Sequence, residues 1–341
     1  MKKYVPNLLR PLASVRRCTL PALFFLAALM LSSCAGREKV TVLKLAHGLD
    51  PAHPVHRAME FMAERIHEKS EGRMRLDLYP SEQLGSEREC LELLQIGSLG
   101  LTKVSSSVLE AFVPSFSVFS LPYLFRDDAH KFAVLQGPVG RDLLLASESY
   151  WLRGLTYYDS GSRSFYTKDK PILSPADLQG LKIRTQESMT SIKMVRAMGG
   201  SATPISWGEL YTSLQQGVVD GAENNPPSFH LSRHYEVAGY FSLDEHTSVP
   251  DVLLMSTLIW NGLTPDQQRM IQEAADESAV YQQKLWAEAT QTALKAVQEG
   301  GVQIFYPDKE PFRLAVAELY ESYRNDPLIY ELILKIRGTQ P

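Results

Sequence analysis

Two arginines stand where strands would end. Arg184 closes the run "LKIR", and Arg163 lies in "DSGSRSFY", where small residues leave the backbone room to curve. A guanidinium at the carboxyl end of a strand points into the crevice where α/β sheets bind ligands, and its planar fork meets a carboxylate with two parallel hydrogen bonds. Taken singly, each arginine suits a surface ion pair as well. The run "QQGVVDGAENNPP" follows a helical stretch with an acid, two amides and two prolines, as if to forbid the helix from resuming. Asn224 within it equally suits an Asx turn in its own loop. Enzyme signatures are missing: there is no nucleophile elbow, HExxH, CxxC or GxxxxGK. His47, His53 and His56 lie close together, but Pro51 and Pro54 break their spacing and no acid or cysteine completes a ligand set, so neither metal nor other cofactor is expected.

Positioning such groups requires elements from distant segments. "VTVLKLA" alternates as a strand does, and Val55, Met59, Met62 and Ile66 then recur at helical spacing until Gly72. "MRLDLYP" reads as a strand, "SERECLELLQIG" as a helix capped by Ser86, and "LGLTKV" as a strand. This alternation predicts an α/β layer with a largely parallel sheet. It recurs downstream, with "LRGLTYYD", "SRSFYTK", "LKIRT" and "VVDGAE" as strands and "SMTSIKMVRAMGG" as a helix. Two such runs, in a chain longer than one core organises, predict two lobes. From Thr264, an N-cap followed by Pro265, no glycine or proline interrupts the chain until Gly300 and Gly301. A helix of that length reaches about 50 Å and would lie across both lobes as a spine.

The first 33 residues carry five basic groups (Lys2, Lys3, Arg10, Arg16 and Arg17) and no acid, followed by an apolar run at 19–31 and "LSSC". The apolar run is shorter than the roughly 20 residues of a membrane span. The order of features resembles a bacterial lipoprotein signal with Cys34 as the lipidated residue; a plain signal peptide or an N-terminal anchor is the alternative. Its removal makes a chain of net charge −4 more acidic still, which argues against nucleic acid as a partner. Of the three cysteines only Cys90 then remains as a thiol, so the core must hold the fold without an internal disulfide.

The ordered segments "LKLAHGLDPAHPVHRAMEFMAERI", "LYPSEQLGSERE", "VFSLPYLF", "DLQGLKIRTQES", "MGGSATPISWGELYTSLQQGVVDGAENNPP" and "LTPDQQ" resemble the solute-binding proteins of tripartite ATP-independent periplasmic (TRAP) transporters, of the DctP type. The resemblance spans nearly the whole chain after its leader. It implies an α/β, two-lobed periplasmic binding protein (Venus-flytrap) fold with a long helix spanning both lobes. The expected division is a signal peptide at 1–33, a lipidated tether at 34–39, lobe 1 at 40–160 plus 250–288, and lobe 2 at 161–249 plus 289–341. By resemblance Arg184 clamps a carboxylate, Arg163 assists it, Asn224 closes on the same group and Trp207 packs against the ligand. The two prolines would hold the backbone extended so that Asn224 stays aimed inward.

His47, Glu87, Ser105 and Glu187 fall where relatives read the rest of the ligand, and Glu245 with His246 is a further candidate to face the cleft. Sialic-acid-binding relatives tend to have an acid near Ser105 and an amide near Glu187, and this chain departs at both. Carboxylates and a histidine around an arginine suit a ligand with several hydroxyls, such as a hexuronate or aldonate, with dicarboxylates and keto acids as competitors. The expected function is capture of such an acid and its delivery to a TRAP permease by a lipid-anchored periplasmic monomer that is not an enzyme. The alternatives are a periplasmic lyase or hydrolase using Glu87 and Glu187 as acid and base, or a ligand-presenting subunit of a sensor.

Overall fold

The computed structural model describes Met1 and residues 40–341; the leader and Cys34 lie outside the described residues. Two sheets carry the two lobes. The first joins β1 (Thr41–Ala46), β2 (Met74–Tyr79), β3 (Leu101–Ser105), β4 (Leu152–Tyr158) and β10 (Asp251–Ser256) in the order β2-β1-β3-β10-β4. The second joins β5 (Arg163–Thr167), β6 (Lys182–Thr185), β7 (Ser201–Pro204), β8 (Gly221–Asn224), β9 (Tyr240–Thr247) and β11 (Gln303–Phe305) in the order β11-β9-β5-β8-β6-β7.

The expectation of a largely parallel sheet holds for β2-β1-β3, β8-β6-β7 and the pair β11-β9, and fails at β10 and β5. β10 lies antiparallel between β3 and β4, and β5 runs antiparallel to both β8 and β9. The local strand-helix alternation is read correctly, but β10 returns from the far half of the chain, and nothing in its neighbourhood encodes which strands it enters between.

The caps are where the local chemistry puts them. Ser86 and Glu89 form a capping box at the start of the helix Glu87–Gln95, and Thr264 and Gln267 form another at the start of Pro265–Glu299. That second helix runs 35 residues without a break to its C-cap Gly300. Its Ile271, Ala274, Ala275 and Ala279 pack in the core of the first sheet, and Val297 in the core of the second. It is the spine that its length implies.

The prolines after Asn224 act otherwise than expected. Pro226 and Pro227 occupy the first positions of a short helix, Pro226–Leu231, where a missing N–H costs nothing. Asn225 is its N-cap, accepting the Ser228 N–H at 2.8 Å. The helix-breaking residue is a helix starter here because it sits at the terminus.

The chain passes between lobes at residues 159–162 and 248–250 and along the spine helix. Gln282 on that helix grips the first passage, accepting from Asp159 N at 2.9 Å and donating to Asp159 O at 2.7 Å. Ser248 Oγ donates to Gly161 O at 2.8 Å, tying the two passages together. Gly161 has φ +59, and a Cβ there would lie 2.8 Å from Trp286 Nε1. The terminal helix Pro327–Gly338 turns back to the first lobe: Arg126 donates to Arg337 O (2.8 Å) and Thr339 O (2.7 Å), and the His130 ring bonds Ile336 O at 2.8 Å. These groups satisfy carbonyls that a helix end leaves bare. This segment, placed with lobe 2 in the expected division, thus makes contacts with lobe 1.

Candidate functional site

The second sheet turns the ends of its central strands toward the first lobe. β6 and β8 run parallel with Arg184 beside Ala222, and β5 runs antiparallel to β8 with Ser164 opposite Asn224. The end of β6, the end of β8 and the start of β5 therefore meet, bringing Arg184, Asn224 and Arg163 together from positions up to 61 residues apart. All three are buried, at 2%, 4% and 4% exposure.

Arg163 is already neutralised. Its Nη2 donates to Glu223 Oε1 at 2.9 Å and Glu223 O at 2.8 Å, and its Nε donates to Glu223 Oε2. Its Nη1 donates to Asn224 Oδ1 at 3.0 Å, and the Asn225 N–H donates to the same oxygen at 2.9 Å. Two donors facing one amide atom require that atom to be the oxygen, which leaves Asn224 Nδ2 to donate elsewhere. Glu223 also lies 3.6 Å from His246 Nε2, and His246 Nδ1 bonds Asp244 Oδ2 at 2.8 Å. Burial alone would raise the Glu223 carboxyl; Arg163 and His246 overcome it and hold it at about 2. Burial likewise pushes His246 down, but Asp244 and Glu223 raise it to about 9.

Arg184 is placed differently. Its Nε donates to Ile205 O at 2.9 Å, which locks the plane of the guanidinium, while its buried Nη1 has no partner among the described residues. Burial pushes its pKa below the usual guanidinium value, against smaller opposing contributions from Tyr166 and Glu223. The Trp207 ring lies beside it, 5.9 Å from guanidinium carbon to ring centroid. A buried cation with an idle N–H costs stability unless an anion completes it.

The facing wall comes from the first sheet. Ser105 ends β3 directly opposite Asp251, the first residue of β10. Lys103 Nζ sits between Glu87 Oε1 (3.0 Å) and Asp251 Oδ1 (3.3 Å), and Ser105 N donates to Glu87 Oε2 at 3.1 Å. The cavity between the walls encloses about 640 Å3 with its open mouth included. Arg163, Arg184, Asn224, Trp207, Glu187, Glu87 and Ser105 all line it. So do Lys103, Asp251 and Gln186, which sequence reasoning passed over; the signal available was a lone lysine in "LGLTKV", a strand otherwise without charge. A larger concavity, about 1350 Å3, lies outside the first sheet between β4 and the spine helix; among the described residues its Arg153 also has a buried Nε without a partner, but that guanidinium is ion-paired with Glu148, whereas Arg184 has no ion pair.

Several hydrogen bonds cross between the lobes, three of them made by Glu82, Ser105 and His53 of the first lobe. Gly208 N donates to Glu82 Oε1 at 3.1 Å, Ser105 Oγ donates to Gln186 Oε1 at 3.2 Å, and the His53 ring bonds Ser228 Oγ at 3.3 Å.

His47, Glu245 and His246 are not among the described residues that line the cavity. His47 lies behind the cavity wall with both ring nitrogens engaged: Leu49 N donates to its Nδ1 at 3.1 Å, so its proton is on Nε2, which bonds His56 Nδ1 at 2.9 Å. Burial, with Lys103 and the two neighbouring histidines, lowers it to about 2 and keeps it neutral. Glu245 and His246 do not face the cleft either. Glu245 pairs with Lys309 at a separate surface cavity, and His246 is buried, stacked on Phe165 at 4.3 Å. Regular strand alternation does not hold at this point: Glu245 has φ +48 and the register with β5 shifts along β9.

The family model described as "Bacterial extracellular solute-binding protein, family 7" (DctP) matches residues 45–326. The chain is 40% identical over 299 residues to YiiZ, an uncharacterised protein of Salmonella typhimurium, covering 87% of this chain and 91% of that one. It is similar to a solved TRAP periplasmic solute-binding protein of Bradyrhizobium in complex with α/β-D-galacturonate, at 39% identity and TM-score 0.85 over 87% of this chain and 99% of that one. A Xanthobacter autotrophicus counterpart with bound β-D-galacturonate is 37% identical, with TM-score 0.85 over 87% and 100%. With two lobes closing on a cavity and these matches over most of its length, the chain belongs to the DctP family of bacterial extracellular solute-binding proteins, which serve TRAP transporters.

Proposed function

We propose that this protein is the extracytoplasmic receptor for a hexuronate, of which D-galacturonate is the first candidate, and that it delivers the sugar acid to a TRAP permease. The observation that carries the reading is the idle Nη1 of Arg184, buried in an interlobe cavity. In this reading the ligand carboxylate meets Arg184 and Asn224 Nδ2, Arg163 positions that amide, and the sugar ring packs on Trp207. Glu87, Ser105 and Glu187 meet the hydroxyls. The closing lobes are 40–160 with 250–288, and 161–249 with 289–326, the helix Pro327–Gly338 moving with the first. Ligand that bridges both walls stabilises the closed form more than the open one, and that difference drives closure.

A thermal-shift panel of hexuronates, aldonates, keto acids and dicarboxylates tests it. Ligand at about 100 times its Kd adds about 2.7 kcal/mol, a rise of roughly 5 °C for a chain of this size. D-Galacturonate or D-glucuronate is expected to give the largest rise; a panel in which no hexuronate shifts the transition refutes the assignment.

The same proposal includes a monomer held at a membrane by lipid on Cys34, supported by the basic leader, apolar run and "LSSC". Among the described residues no helix is long and apolar enough to cross a membrane. Fatty-acid labelling of the expressed protein is expected, and its persistence in Cys34→Ser would exclude that residue as the anchor.

A further inference from the structure

We infer that Glu87 and Asp251, flanking Lys103, make the wall opposite Arg184 net negative, so that the cavity admits acids with one carboxylate and rejects the matching diacids. This rests on the reading of Arg184 as the carboxylate site.

Both acids are held in place by the fold. Glu87 is the first residue of the helix Glu87–Gln95, fixed there by the Ser86–Glu89 capping box, and a carboxylate is favoured at a helix N-terminus. Asp251 is set by its register with Ser105 on one side and Tyr158 on the other. Lys103, with 3% side-chain exposure, bonds both and has no other ion-pair partner among the described residues. Burial pushes the Asp251 carboxyl above its usual value and Lys103 opposes that shift; with both acids ionised, one ammonium against two carboxylates leaves this wall with one negative charge. Arg163 cannot offset it, because Glu223 already takes its charge. Arg184 is then the one uncompensated cation lining the cavity among the described residues, and one ligand carboxylate neutralises it.

The far end of the ligand meets groups suited to hydroxyls. Asp251 Oδ2 has no hydrogen-bond partner among the described residues and can only accept, and one of the three Lys103 N–H groups remains to donate. A sugar hydroxyl does both. A second carboxylate cannot donate, and it would be desolvated beside two acids with no cation to receive it; juxtaposed like charges of this kind cost about a hundredfold or more in affinity.

Isothermal titration with acids that share a carbon chain tests the inference: D-galacturonate against galactarate, and D-gluconate against D-glucarate. The diacid of each pair is expected to bind at least about a hundredfold more weakly. Glu87→Gln and Asp251→Asn, each checked for folding by circular dichroism, are expected to narrow that gap at least tenfold. A diacid within tenfold of its monoacid on the unmodified protein overturns the inference, as does an unchanged gap in the variants that fold. If neither variant folds, the gap on the unmodified protein decides. Should gluconate show the gap while galacturonate does not bind, the hexuronate assignment falls and this inference stands. If no acid binds, both fall.

Discussion

Replacing Arg184 by alanine is expected to weaken hexuronate binding by about 2–5 kcal/mol, roughly 30- to 5,000-fold in Kd, because the ligand carboxylate is then buried without its partner. The guanidinium is aimed by its Nε bond to Ile205 O and by the Trp207 ring, so no rearrangement is needed to receive an anion. Arg184→Lys keeps the charge but not the planar fork, and an intermediate loss follows. The ligand-free protein should respond in the opposite sense. Its Nη1 is buried and unsatisfied, so removing the group relieves a cost, and the unfolding temperature without ligand is expected to hold or rise. Calorimetric titration beside thermal unfolding checks the pair of effects. Undiminished affinity in Arg184→Ala would sink the clamp assignment, and a large fall in ligand-free stability would show that the arginine serves the fold instead.

The neighbouring arginine has the reverse profile. Glu223→Gln is expected to cost about 3–5 kcal/mol of stability, since it strands the buried Arg163 guanidinium and removes a partner of His246. Affinity should fall as well, because Arg163 orients the Asn224 amide. Denaturant unfolding measures the first effect, and the pH dependence of stability identifies its origin. Glu223, depressed from 4.5 to about 2, contributes stability that is fully present above about 4.5 and is lost as the pH falls through 2. His246, raised from 6.5 to about 9, contributes stability that is fully present below about 6.5 and is lost as the pH rises through 9. The network is therefore most stabilising between about pH 4.5 and 6.5. The two contributions share the Glu223–His246 contact and do not add. In Glu223→Gln the acid limb disappears and the alkaline limb shrinks toward what Asp244 alone supports; an unaltered profile would mean that the network carries no such linkage.

Much of the molecule is legible in its sequence. Ser86, Thr264 with Pro265, and Gly300 mark helix ends through bonds that close within three or four residues, so the sequence at those points contains both partners. The spine helix is legible for the same reason, since 35 residues pass without a residue that would break it. The candidate arginines were legible as chemical types at strand ends, and the family resemblance attached expected roles to them. Their division of labour was not. Arg163 and Arg184 read alike in sequence, and they differ because an acid 60 residues beyond Arg163 arrives at its side through the pairing of β5 with β8.

Long-range register decided the rest. Lys103 and Asp251 are 148 residues apart and meet only because β10 inserts antiparallel beside β3. By itself the sequence determined the local elements, their caps and the kinds of side chain available, since each of those is settled by interactions a few residues long. Only the tertiary structure decided which charge stays unpaired, because neutralisation depends on which strand lies next to which, and no stretch of chain contains both halves of that contact.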